Sequence, residues 1–167
     1  MKKRAFCVLI CILLLATLLL AACGGTKYKV LNGARLEDCT LTVHYIKRNV
    51  CILVPYSLRD FLEEDQRFGE RLFLYHVTVP GTELKENEQF LALLKMLDGQ
   101  ELPPVQDITN YWDILPKIYY SLTDQDGERL FDVGMGGGIY FNGEKIPYDE
   151  LFGLCVEPYM TYPQGEN

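Results

Sequence analysis

The first 23 residues constrain this chain more than any other feature, because they cannot belong to the surface of a folded domain. Lys2, Lys3 and Arg4 are followed by an apolar run of 16 residues from Ala5 to Leu20, then by Ala21, Ala22 and Cys23. A cationic start, an apolar stretch and a pair of small residues form the three-part layout of a secretory signal. The apolar run is shorter than the ~20 residues that span a bilayer comfortably, although Ala21 to Cys23 would extend it to spanning length. On either reading the positive charges stay in the cytosol and the remainder crosses. What is left to fold is the 145 residues from Cys23 onward.

The tetrad Leu20-Ala21-Ala22-Cys23 resembles the lipobox of bacterial lipoproteins: an aliphatic residue, two small residues and a modified cysteine. The resemblance covers only the segment up to Cys23. It implies that a diacylglyceryl group is attached to the Cys23 sulfur, that cleavage follows Ala22, and that residues 1–22 are removed. The alternative is an uncleaved signal anchor in which Cys23 is an inert membrane thiol. One acyl chain holds a protein weakly, whereas two, at ~0.8 kcal/mol per buried CH₂, make a stable anchor. The expected organisation is therefore a signal peptide at 1–22, a lipidated tether at 23–28 and a single domain over 29–167, located at the extracytoplasmic face of a cell membrane.

Cleavage would remove three positive and no negative charges, leaving 13 Lys and Arg against 23 Asp and Glu, a net of −10. Such a domain is repelled by nucleic acid and by anionic lipid alike. No nucleic-acid partner is expected, and attachment falls to the lipid. A five-residue tether reaches at most about 16 Å, at ~3.3 Å per residue, which keeps the domain close to the bilayer.

Cys39, Cys51 and Cys155 remain after Cys23. Outside the cytosol disulfides persist, but three cysteines allow at most one bridge. A turn at Arg48-Asn49 would set Cys51 opposite about Ile46, which disfavours Cys39–Cys51. A bridge from Cys155 to either stays open, as does the alternative of three buried apolar thiols.

Periodicity predicts an α+β fold: a mainly antiparallel sheet with a C-terminal β-meander and two to three short helices packed on it. Thr40 to Ile46 alternates, with Leu41, Val43 and Tyr45 on one face, and pairs in expectation with the apolar run 50–54. Ser57 begins a short helix through Leu58, Phe61 and Leu62, and residues 71–79 return to the sheet. Phe90, Leu93, Leu94 and Leu97 fall at i, i+3, i+4 and i+7, followed by Gly99 as a stop. From Ile118 the chain meanders through an Asp124–Gly127 turn and an Asn142-Gly143 hairpin to a last helix over 149–156.

No motif names a reaction. The glycines of 134–138 lack both a following helix and a Walker lysine, so they read as a connection between strands. The Asp124–Glu128 stretch places Leu122 and Val133 where a calcium loop needs carboxylates, so it reads as a turn. Two histidines, His44 and His76, without His/Cys/Asp spacing argue against a zinc site. No metal or other cofactor is expected. A Cys51–His76 dyad would make a thiol-dependent or hydrolytic cell-surface enzyme, but His76 in an apolar strand reads better as a packed side chain. Tyr111, Trp112, Tyr119 and Tyr140 stand out in an aromatic second half, and Tyr119 and Tyr140 alternate with core positions. An outward-facing set of this kind suits a site that stacks on sugar rings or grips a peptide. The expected role is a non-enzymatic binding domain for a protein or envelope component.

Overall fold

The computed structural model of the chain describes residues 28–46, 58, 62, 74–107 and 116–161. These form an antiparallel sheet with a few short helices, an α+β fold. Strands β1 (Thr40–Ile46), β2 (Leu74–Pro80), β3 (Ile118–Thr123), β4 (Arg129–Met135), β5 (Ile139–Phe141) and β6 (Glu144–Ile146) lie in the order β2-β1-β3-β4-β5-β6. Short helices α1 (Gly81–Leu84) and α3 (Leu151–Leu154) flank the main helix, α2 (Glu88–Asp98). No helix among the described residues is long and apolar enough to cross a membrane.

Successive strand residues point to opposite faces, and register decides which of them meet. One face stacks Leu41 beside Val79 and Leu122, and Val43 beside Val77 and Tyr120. It continues through Phe131, Val133, Ile139 and Phe141. The apolar stripe of α2, with Phe90, Leu93, Leu94 and Leu97 all buried, completes this core. Asn87 caps α2 by accepting the Phe90 N–H at 3.0 Å. Its amide also donates to the Cys155 carbonyl at 2.9 Å and to the Tyr159 hydroxyl at 3.0 Å, tying the helix start to the C-terminal segment.

The α2 helix and the meander fall where periodicity predicts. Asn142 (φ 49°) and Gly143 (φ 87°) are both left-handed, as a tight two-residue hairpin turn requires. Gly127 (φ 81°) is left-handed in the preceding turn, where the Asp124 carboxylate accepts the N–H groups of Asp126 and Glu128 at 2.9 Å each. That carboxylate oxygen is engaged by the turn itself.

Three expectations change. The place beside β1 expected for 50–54 is taken: β2 pairs along one side and β3 along the other. Residues 50–54 lie outside the described set. Gly134 is not a connection but part of β4, paired between Tyr119 and Tyr140, and the bend begins at Gly136, whose N–H donates to the Gly138 carbonyl at 3.0 Å. The expected last helix over 149–156 is a single turn, Leu151–Leu154, followed by a 3-10 turn at Glu157–Tyr159.

Candidate functional site

The second face of the sheet carries the polar and aromatic residues that the core excludes. Register sets them in transverse rows. His44 on β1 lies between His76 on β2 and Tyr119 on β3, Gly134 separates Tyr119 from Tyr140, and Lys145 on β6 follows Tyr140. The His44 ring centroid is 6.0 Å from that of His76 and 6.3 Å from that of Tyr119. The Lys145 side chain lies along Gly138, close enough that a Cβ there would come within 2.9 Å of its Cε. Two imidazoles, two phenols and one ammonium thus share one band. The exposed His76 and Lys145 and the half-buried His44 and Tyr140 can stack on and hydrogen-bond to a ligand laid across the strands.

Several sequence-expected positions need correction against this geometry. Tyr119 does not face outward, being only 2% exposed. Tyr140 is half-buried in the same row. His76 is an exposed residue of β2, not a packed one, because it points to the second face while Val77 and Val79 turn toward the core. Tyr111, Trp112, Cys51, Ala22 and Cys23 lie outside the described residues, so the Cys51–His76 pairing and the modified cysteine do too.

Cys39 and Cys155 are both free thiols and both buried. Burial, reinforced by the carboxylates of Asp124, Asp38 and Glu37, pushes the Cys39 thiol up to about 11. Burial pushes Cys155 up to about 12 against the opposing hydrogen bond to Tyr120. Tyr120, whose hydroxyl donates to the Phe152 carbonyl at 3.0 Å, is itself raised, chiefly by burial. A nucleophilic cysteine needs its thiolate near neutral pH. These two hold their protons there and serve as small apolar fillers.

One further polar cluster was not legible in the sequence. Residues i and i+3 of a regular strand point to opposite faces, yet Arg129 Nε lies 3.0 Å from the carboxylate of Asp132, which is 1% exposed. The cause is a bulge: Leu122 pairs with Phe131 but Thr123 with Arg129, so Leu130 is the extra residue and Arg129 swings to the Asp132 side. The Arg129 guanidinium also donates to the Gln106 carbonyl. Asn142 accepts the Asp132 N–H at 2.9 Å and donates to the Pro103 carbonyl at 2.8 Å. The extended segment 103–106 is thereby fastened alongside β4 and the β5–β6 turn.

Among the described residues, no group of three or more His, Cys, Asp and Glu side chains is placed to hold a metal ion. The chain matches no known family model, no characterised protein and no solved structure.

Proposed function

We infer that this chain is a lipoprotein tethered through a diacylglyceryl group on Cys23 to the outer surface of a cell membrane, and that its α+β domain is a non-enzymatic binding module. The Leu20-Ala21-Ala22-Cys23 tetrad behind a cationic and apolar leader carries the first part. The binding role is supported by how the buried polar groups are used. Asn87, Asn142, Arg129 and Tyr120 each hold one segment against another, and the Cys39 and Cys155 thiols stay protonated. The half-buried and exposed polar and aromatic groups of the second face are the surface offered to a protein or envelope component.

Intact mass spectrometry of protein extracted from native membranes tests the anchor. The expected species begins at Cys23 and carries the diacylglyceryl mass, and Cys23→Ala releases the domain from lipid modification. An unmodified chain starting at Met1 would overturn the anchor. Turnover of any substrate that is lost on one conservative substitution in the domain would overturn the binding role.

A further inference from the structure

The spacing of the two histidines along the chain argues against a metal site, but the sheet register creates what the spacing lacks. His44 and His76, the only histidines of the protein, are direct cross-strand partners on β1 and β2. Both project to the second face, His76 is exposed, and their ring centroids are 6.0 Å apart with a 34° angle between the planes. We propose that His44 and His76 form a two-imidazole chelate for a late first-row divalent metal ion.

The geometry suits this reading. A metal–nitrogen bond of about 2.0–2.1 Å sets the ion roughly 3.2 Å from each ring centroid, so two imidazoles at about 90–110° around it have centroids about 4.5–5.2 Å apart. Closing the gap from 6.0 Å takes about 1 Å of ring movement, which side-chain rotation of the exposed His76 supplies. The backbone register holds the two Cα atoms opposite each other before any ion arrives. Two residues away on the same face of β1 and β2 the neighbours are Thr42, Ile46, Leu74 and Thr78; on β3, Tyr119 lies 6.3 Å from His44 and the exposed Lys117 accepts the Ile46 N–H through its carbonyl at 3.0 Å. The protein as a whole carries a net charge of −7, which favours cation approach. Imidazole selects Cu²⁺, Ni²⁺ and Zn²⁺ over Mg²⁺ and Ca²⁺, and Cu²⁺ binds most tightly of the series. The inference stands on the histidine geometry alone and holds wherever the chain resides.

The test is a Cu²⁺ titration of the full chain in detergent, followed by calorimetry and electron paramagnetic resonance, with Ni²⁺ as a redox-inert comparison. His76→Gln, at an exposed position, keeps the apo fold by circular dichroism. The expected result is one ion per chain with a two-nitrogen signature, and affinity roughly tenfold or more weaker in His76→Gln and likewise in His44→Gln. Equal Cu²⁺ and Ni²⁺ affinities in wild type and His76→Gln would overturn the proposal, as would a wild-type signal without histidine nitrogen. If His44→Gln fails to fold, His76→Gln alone decides.

Discussion

Replacing Gly81 with alanine separates two physical effects of opposite sign. Gly81 opens helix α1, where an alanine ordinarily gains up to about 1 kcal/mol in helix propensity and in reduced freedom of the unfolded chain. Here the added Cβ would sit 1.7 Å from the backbone oxygen of Leu36 and 2.8 Å from that of Cys39. Carbon and oxygen in contact lie about 3.3–3.6 Å apart, so the 3-10 turn Leu36–Asp38 must retreat by well over 1 Å. Retreat breaks the 2.8 Å hydrogen bond from the Gly81 N–H to the Cys39 carbonyl, whose buried groups then cost about 1–3 kcal/mol. It also loosens Leu36 and Cys39, which are 8% and 2% exposed, for about another 1–3 kcal/mol. After subtracting about 1 kcal/mol for the favourable term, Gly81→Ala should lose about 1–5 kcal/mol, a large part of the roughly 5–15 kcal/mol that holds a domain together. Urea denaturation followed by far-ultraviolet circular dichroism measures it. Gly137→Ala, where a Cβ meets nothing within 4 Å, is the control and should shift stability by less than about 0.5 kcal/mol. A neutral or stabilised Gly81→Ala would refute the close approach of the two segments.

Three further outcomes are expected. Arg129→Met takes the guanidinium away from the buried Asp132 carboxylate; since the Arg129 side chain is 18% exposed, the loss is about 2–3 kcal/mol in urea, and Arg129→Met/Asp132→Leu recovers most of it, whereas additive losses would refute a coupled pair. Asn87→Ala removes the α2 cap and the donor to Cys155, for about 2–3 kcal/mol, while Asn87→Asp keeps the cap oxygen and loses about half as much; equal losses would place all the effect in the lost amide donor and none in the cap. Because the folded thiols are raised to about 11 and about 12, the unfolded chain releases those protons first as pH rises above about 9, so stability is full below that and falls toward pH 11. The urea midpoint followed from pH 8 to 11 should decline less steeply in Cys155→Ala than in wild type; parallel curves would remove the thiol contribution.

What could be read in advance follows from the range of the interaction that decides each feature. The α2 helix was visible because its stripe recurs every three to four residues within 11 residues. The Asn142-Gly143 turn was visible because a two-residue hairpin imposes its own backbone angles. The partner of β1 was not, since either 50–54 or 74–80 satisfies the alternation of 40–46 and only tertiary packing chooses. The same non-local pairing set His76 against His44, and alternation alone gave no sign that Tyr119 would be buried on the second face. Arg129 and Asp132 were hidden more deeply. Their spacing predicts opposite faces, and the bulge that unites them has no marker in the local sequence. Asn142 was legible as a turn residue and illegible as the group that fastens Pro103.

The two faces of the sheet are coupled through this register in a way that bears on function. A slip of β1 by one residue would turn Leu41, Val43 and Tyr45 out of the core and bring in Thr40, Thr42 and His44. Re-exposing three large apolar side chains costs about 1.5–3 kcal/mol each, which is comparable with the whole stability of a domain. The core face therefore fixes the positions of His44, His76, Tyr119 and Tyr140 to within a single residue. His76 and Lys145 are exposed and Tyr140 is half-buried, so their side chains contribute little to that energy. Substitution there can change the chemistry that the second face presents without changing how the sheet is held. The histidine pair is kept opposite each other by packing on the far side, so the geometry of the proposed chelate does not depend on an ion to form it.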